Sequence, residues 1–533
     1  MKNQAIRKPT VRSDSLEAGG SGEPRVWSGG RAQTVVEVKA RAARLAAGLR
    51  ASGVGPGDRF AIVMRNEIAF LEATLAAAPI GAVPVPVNWH WMGSDLAHLL
   101  RDSGAKAVIA HSDLIGAVVA QAPEGVVVIE AEVPAEVADA YGLGDVRATG
   151  RYDTLDGLIA SNEPISVVTD QTPMGVIYTS GTTGLPKGVL RNRISVEDQA
   201  KVLKASMGLL GLRPGGKTLL PAPLYHAAPN NHALFAAALD MDITIMPKFD
   251  PVEFLRLVES RRIESVQMVP TMFTRLLRLP TEVRKSFDVS SLQVIVHAAA
   301  PCAPETKKAI IDWFGPIVRE YYGGSEVGPF VMCDSAEALA HPGTVGKPRF
   351  GSDVRILDMF TGERLPAGTP GVIYGRSVEG WPDFTYIGND AERREIEQDG
   401  YITVGDIGYV DDDGYLYLTD RVSDMVISGG VNIYPAEIEA CLMRMDGVAD
   451  VAVFGIPDDE FGESLAAHIE LLPGAEATAG AVRDFVATHL ARYKVPRVVV
   501  FDDDLPRDDS GKLFKRRLRE QYRRPTASTE RHR

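Results

Sequence analysis

Residues Tyr178 to Val189, YTSGTTGLPKGV, combine three glycines, three threonines, a serine and a lysine. Glycine lets a backbone come close to a phosphate chain, hydroxyls donate to its oxygens, and an ammonium group offsets its charge. Gly181, Gly184 and Gly188 fill the first role, Thr179, Ser180, Thr182 and Thr183 the second, and Lys187 the third. The run is not a Walker A loop, because Lys187 lies between Pro186 and Gly188 instead of within Gly-Lys-Ser/Thr. A hydroxyl-rich turn of this kind also occurs on ordinary surfaces. Here it directly follows the apolar run GVIY, and the phosphate reading takes precedence.

Positioning such a loop needs a scaffold, and 533 residues are more than one core organises, so at least two domains are expected. From about Val35 short apolar runs alternate with amphipathic stretches, the pattern of an α/β, doubly wound sheet. RFAIVM, VPVPV and KAVIAH read as strands, and EIAFLEATLAAAPIGA and DLAHLLRDSGA as helices. After a polar stretch near Tyr152 to Thr172 the rhythm resumes with MGVIYTS, TLLPAPL, ITIMPK, SVQMVP and LQVIVHAAA. Doubly wound sheets bind ligands outside the carboxyl ends of their strands. The unusual loops after Tyr178, Leu224, His297 and Tyr322 are expected at such ends. From about Gly343 to Asp420 short strands with Gly and Asp turns predict a small β-rich module, followed by mixed α and β. The expected division is a leader over 1–28, a large N-terminal domain over 29–420 and a smaller, mobile α+β lid domain over 421–533.

Composition excludes several classes. The chain is 45% hydrophobic and 24% charged, as in ordinary globular proteins, and its net charge of -13 argues against binding nucleic acid. The three cysteines, Cys302, Cys333 and Cys441, suit neither a disulfide framework nor a zinc site, which suggests a reducing compartment. The first 25 residues lack a secretory apolar core, and the apolar stretch Phe70 to Val87 is broken by Glu72, Pro79, Pro84 and Pro86. A cytoplasmic chain without a membrane span is expected. The basic run Lys512 to Arg524 reads as a solvated terminal helix.

The quoted loop resembles the signature of the adenylate-forming superfamily of acyl-CoA synthetases, luciferases and peptide-synthetase adenylation domains. Three further motifs of that superfamily follow in order. YYGGSE (Tyr321 to Glu326) resembles its Tyr-Gly-x-Thr-Glu, which implies that Tyr322 stacks on adenine beside Gly323, Ser325 donates to the α-phosphate and Glu326 holds Mg²⁺. A carboxylate at a strand end beside phosphate suits a hard cation. GDIGYVDDDGYLYLTDR resembles the ribose-binding stretch, with Asp406 accepting from the ribose hydroxyls and Arg421 beside it. PRDDSGKLFK resembles the C-terminal segment whose lysine, here Lys512, bridges the substrate carboxylate and the α-phosphate.

The resemblance implies two steps, acyl-adenylate formation from ATP and then transfer to a thiol, with no protein nucleophile. The lid would turn about Ser423, where the superfamily usually has Asp or Lys, and bring Gly429 and Gly430 to a pantetheine tunnel. RYKVPR resembles the surface that holds the CoA nucleotide, with Tyr493 for adenine and Arg497 for phosphate. PAPLYHAAPN resembles the mouth of the acyl pocket, which makes His226 the gate, with Pro229 where Gly is common. HAAAPCAPE replaces the usual Gly-Gly-Ala-Pro and places Ala299 at the nucleotide; Ala298, Ala299, Gly323 and Gly324 are expected to leave room for a bulky apolar acid. The leading expectation is an AMP-forming acyl-CoA synthetase using ATP, Mg²⁺ and CoA on a hydrophobic acid such as a fatty or steroid-type acid. Alternatives are a carrier-protein or other non-CoA acceptor, and a degenerate nucleotide binder. A second copy of the chain is the one protein partner considered.

Overall fold

The computed structural model describes residues 22–166, 171–172, 174–179, 186–429, 431–507 and 513–522. Two parallel sheets carry the N-terminal part. The smaller runs in the order Val83–Pro86, Arg59–Val63, Ala105–His111, Val127–Ala131, Asp153–Thr154, all parallel. VPVPV forms its edge, where Pro84 and Pro86 can lack N–H donors without breaking a ladder on the open side. The helix expected over EIAFLEATLAAAPIGA is two pieces, Ile68–Leu75 and Ala77–Ile80, ended by Gly81 at φ 63°.

The larger sheet has fourteen strands. Its parallel core runs in the order Val318–Gly324, Val294–His297, Ser265–Met268, Lys217–Leu220, Asp242–Ile245, Arg25–Ser28. Ser265–Met268 and Val294–His297 are buried at every position, because helices cover both faces. Val196–Leu210 and Ala227–Ala238 pack into one apolar cluster, and Pro251–Arg261, Pro270–Leu277 and Pro304–Phe314 into the other. Beyond Val318–Gly324 the sheet continues antiparallel through Gly328–Cys333, Thr344–Pro348, Leu416–Arg421, Tyr401–Val410, Gly371–Arg376 and Asp353–Leu357. The β-rich stretch is therefore joined edge to edge to the parallel core.

One placement differs from expectation. The loop after Tyr178 is not at the end of a parallel strand: Ile177–Thr179 and Lys187–Arg191 pair antiparallel, Thr179 opposite Lys187, in a separate three-stranded sheet with Phe384–Tyr386. The cause is local, since KGVLR continues as a strand where a doubly wound unit would start a helix.

The chain passes to a second five-stranded sheet between Arg421 and Val426, ordered Val431–Ile433, Val426–Ser428, Gly462–Leu471, Val448–Asp458, with Val498–Asp502 on Gly462–Leu471. Helices Pro435–Leu442 and Ala479–His489 share its apolar cluster. The terminal helix Lys515–Arg519 is more than a solvated face: Leu518 is buried, Lys515 pairs with Glu439 at 2.8 Å and Arg519 with Asp424 at 2.8 Å. No helix among the described residues is long and apolar enough to cross a membrane.

Candidate active site

The carboxyl end of the Val318–Gly324 strand brings two of the sequence motifs together. Tyr322 is buried with its ring edge-on to Phe330, and its hydroxyl donates to Asp406 Oδ2 at 2.7 Å. Asp406 faces Arg421 across the antiparallel ladder, with Nε to Oδ1 at 3.1 Å. Burial, and then the Asp406 charge, holds the Tyr322 phenol well above its ordinary pKa, so it remains a hydrogen donor.

YYGGSE needs its glycines for packing. A Cβ on Gly323 would lie 2.0 Å from the Gly328 carbonyl oxygen, and one on Gly324 would lie 2.4 Å from Val404 Cγ1. The space beside these two residues is filled by protein, which corrects the expectation that they make room for the acid. Ala298 is also buried, whereas Ala299 is exposed and held at φ 73°, a conformation that costs a non-glycine residue about 1–2 kcal/mol. Strain of this kind concentrates at functional sites.

Beyond the glycines, Glu326 accepts from the Tyr386 hydroxyl at 3.2 Å. Arg191, on the strand that begins at Lys187, donates to the Ser325 carbonyl and, at 3.1 Å, to that of Pro382, with its guanidinium over Trp381. Burial lowers Arg191 to about 10 although Glu326 and Asp383 favour its charge. Lys187 forms an ion pair with Glu392 from the short helix Asp390–Glu395. No group of three or more His, Cys, Asp or Glu that could hold a metal is present among the described residues. A single carboxylate such as Glu326 would suit Mg²⁺ in the manner of nucleotide sites, with the remaining oxygens from phosphate and water.

His226 stands at the N-cap position of the Ala227–Ala238 helix. The preceding turn is tied to the smaller sheet by Asn66, whose Nδ2 donates to the carbonyls of Ala222 at 2.9 Å and Met246 at 3.2 Å while Oδ1 accepts from Leu224 N at 2.7 Å. Asn230 donates to the Leu224 carbonyl at 3.0 Å. In the C-terminal part, Gly429 at φ 57° donates its N–H to the Phe461 carbonyl at 2.9 Å. Arg497 lies over the Phe461 ring and pairs with Asp458 at 2.6 Å, and Tyr493 is exposed on the turn Arg492–Lys494. Gly429, Phe461 and Arg497 thus form one continuous surface, with the Arg497 charge already matched. Ser180, Gly181, Thr182, Thr183, Gly184, Gly430 and Lys512 lie outside the described residues.

Sequence reasoning missed Asn66, Arg191, Tyr386 and Glu392. Asn389 followed by Glu392 is a helix-start signal, and Asn389 does accept from Glu392 N at 3.2 Å, but such a signal names no partner for the carboxylate.

Residues 17–379 match the sequence model of the AMP-binding enzymes, and residues 437–512 match that of their C-terminal domain. The chain belongs to the AMP-binding enzyme family. Similar to this AMP-binding enzyme are the long-chain-fatty-acid–CoA ligase FadD13 of Mycobacterium tuberculosis, 32% identical over 92% of this chain and 93% of the relative. A feruloyl-CoA synthase of Amycolatopsis is 34% identical over 98% and 100%. ATP-bound MatB from Rhodopseudomonas palustris superposes with a TM-score of 0.79 at 28% identity, covering 94% of this chain and 96% of that one. Apo MatB, with the same coverage, gives 0.67.

Proposed function

We propose that this enzyme activates a hydrophobic carboxylic acid with ATP and transfers the acyl group to CoA. In the first step an acid oxygen attacks the α-phosphorus in line, the bond to the β-phosphate oxygen breaks, and acyl-adenylate and pyrophosphate form. In the second the CoA thiol gives up its proton, its sulfur attacks the acyl carbon, and AMP leaves. Tyr322 and Ala299 border the adenine, Asp406 and Arg421 hold the ribose, and Ser325 donates to the α-phosphate. Thr179, Ser180, Gly181, Thr182, Thr183, Gly184 and Lys187 take the β- and γ-phosphates. Glu326 would hold Mg²⁺, which offsets phosphate charge when bound. Lys512 does the same between acid and α-phosphate, His226 stands at the acid entrance, and Gly429, Gly430, Tyr493 and Arg497 meet CoA. Positioning and charge neutralisation suffice for such chemistry.

The observation that carries this reading is the hydrogen-bonded unit Tyr322, Asp406, Arg421, which joins the adenine and ribose motifs across 84 residues of sequence. The test is pyrophosphate release over aliphatic, aryl and alicyclic acids, with CoA, with a phosphopantetheine carrier protein and with neither. Acid-dependent release with thioester only on CoA supports the proposal; thioester only on the carrier protein, or no release with any acid, sinks it.

A further inference from the structure

The helix Gly93–Ser103 is fixed to the smaller parallel sheet by Leu96, Leu99 and Leu100, which are buried in one cluster with Val85, Val108 and Ala110 of its strands. His98 and Asp102 stand four residues apart on this helix and so share a face. Each meets the Tyr178 hairpin, and each meets a different side of it. His98 Nε2 lies 2.9 Å from the carbonyl oxygen of Pro186, the residue before Lys187. The hydroxyl of Tyr178, the residue before Thr179, donates to Asp102 Oδ2 at 2.7 Å. The dimensions agree, since four residues rise about 6 Å along a helix and neighbouring strands lie about 4.8 Å apart. Thr179 and Lys187, opposite each other in the ladder, are therefore both next to a residue that the helix holds.

A carbonyl only accepts, so His98 Nε2 is the donor, a role the ring fills as its Nε2–H tautomer or charged. Burial first, and then the Asp102 charge, raises the Tyr178 phenol above its ordinary pKa, so it stays a donor. Its ring reaches Asp102 across Gly188, where a Cβ would lie 2.9 Å from Tyr178 Cζ and 3.1 Å from the hydroxyl oxygen. The Pro186 carbonyl and the Lys187 N–H belong to one planar peptide, so holding that oxygen sets the plane from which the Lys187 side chain leaves. Ile177–Thr179 is a three-residue edge strand, which a ladder alone holds weakly. The helix supplies a second support from another sheet, and groups set in place beforehand lose less freedom when a ligand binds.

We infer that His98 and Asp102 are positioning residues for the nucleotide: through the Pro186 carbonyl and the Tyr178 hydroxyl they set where Lys187 and Thr179 meet its phosphates. The inference rests on the ATP-binding part of the function proposed above. Wild type and variants are titrated with ATP and Mg²⁺ by calorimetry, which needs no acid, and assayed for pyrophosphate release. His98→Ala and Tyr178→Phe should each weaken ATP binding about fivefold and raise the KM for ATP alike, while kcat and the KM for acid stay within about twofold. His98→Gln, whose amide can donate to the same carbonyl, and Asp102→Asn, whose amide oxygen still accepts, should keep most of the affinity. Tyr178→Phe retains the packed ring and loses one oxygen, so it carries the test where His98→Ala does not fold. Unchanged ATP binding with only a lowered unfolding midpoint overturns the inference by making the contacts merely structural. So does a KM for acid that rises with the KM for ATP, or an equal loss in the two conservative variants. Weakened ATP binding without pyrophosphate release from any acid upholds the inference and sinks the function, and a wild type that does not bind ATP sinks both.

Discussion

Glu392→Gln should tighten ATP use. Lys187 is the lysine of the YTSGTTGLPKGV stretch, and in the proposed function its partner Glu392 would compete with phosphate for it. The two side chains are 17% and 23% exposed, so the pair is partly shielded from water and worth about 1 kcal/mol net. Glutamine keeps an oxygen for the Asn389 side chain, which donates to Glu392 Oε2 at 2.8 Å, so the short helix is retained. Removing the competing charge should lower the KM for ATP about fivefold, with kcat little changed. Initial rates of pyrophosphate release against ATP concentration measure this. Repeating the titration near 1 M salt, where the screening length is about 3 Å, should shrink the gap below about twofold. A KM that rises in Glu392→Gln, or a gap indifferent to salt, would refute the reasoning by showing that Glu392 serves the nucleotide directly.

Asp406→Asn should raise the KM for ATP by about 10–100-fold, since it loses charge-assisted bonds of about 1.5–3 kcal/mol, while far-UV circular dichroism stays unchanged. Gly324→Ala places a Cβ 2.4 Å from Val404 Cγ1 and should cost about 1–3 kcal/mol in denaturant unfolding, with most of it returned in the double variant Gly324→Ala/Val404→Ala. Burial lowers His232 from 6.5 to about 4, so its neutral form contributes stability that is fully present above about 6.5 and is lost as pH falls toward 4. The loss reaches roughly 3 kcal/mol at 1.36 kcal/mol per pH unit, and wild type should lose stability over that window faster than His232→Gln.

Much of the fold was legible because it rests on local pattern. SVQMVP and LQVIVHAAA are short apolar runs between helices, and both became buried parallel strands. Tyr322, Asp406 and Arg421 could be grouped because they belong to two recognisable motifs, YYGGSE and GDIGYVDDDGYLYLTDR. The hairpin at Tyr178 was not legible, since an apolar run before a glycine-rich loop looks the same whether a helix or a strand follows. Nor was the pairing of Lys187 with Glu392 or of Arg191 with Ser325, which join residues 205 and 134 apart and leave no periodic trace. The glycines of YYGGSE were noticed for the right positions and the wrong cause. Whether a missing Cβ opens space or answers a neighbour depends on Gly328 and Val404, which only the folded chain brings near.

The central claim is that an acid oxygen attacks the α-phosphorus of ATP. The direct measurement is to supply an accepted acid labelled with ¹⁸O in its carboxylate, together with ATP and CoA, and to weigh the products by mass spectrometry. One ¹⁸O in AMP and none in pyrophosphate is the predicted result. Label in inorganic phosphate with ADP as the nucleotide product would mean an acyl-phosphate route and would contradict the account.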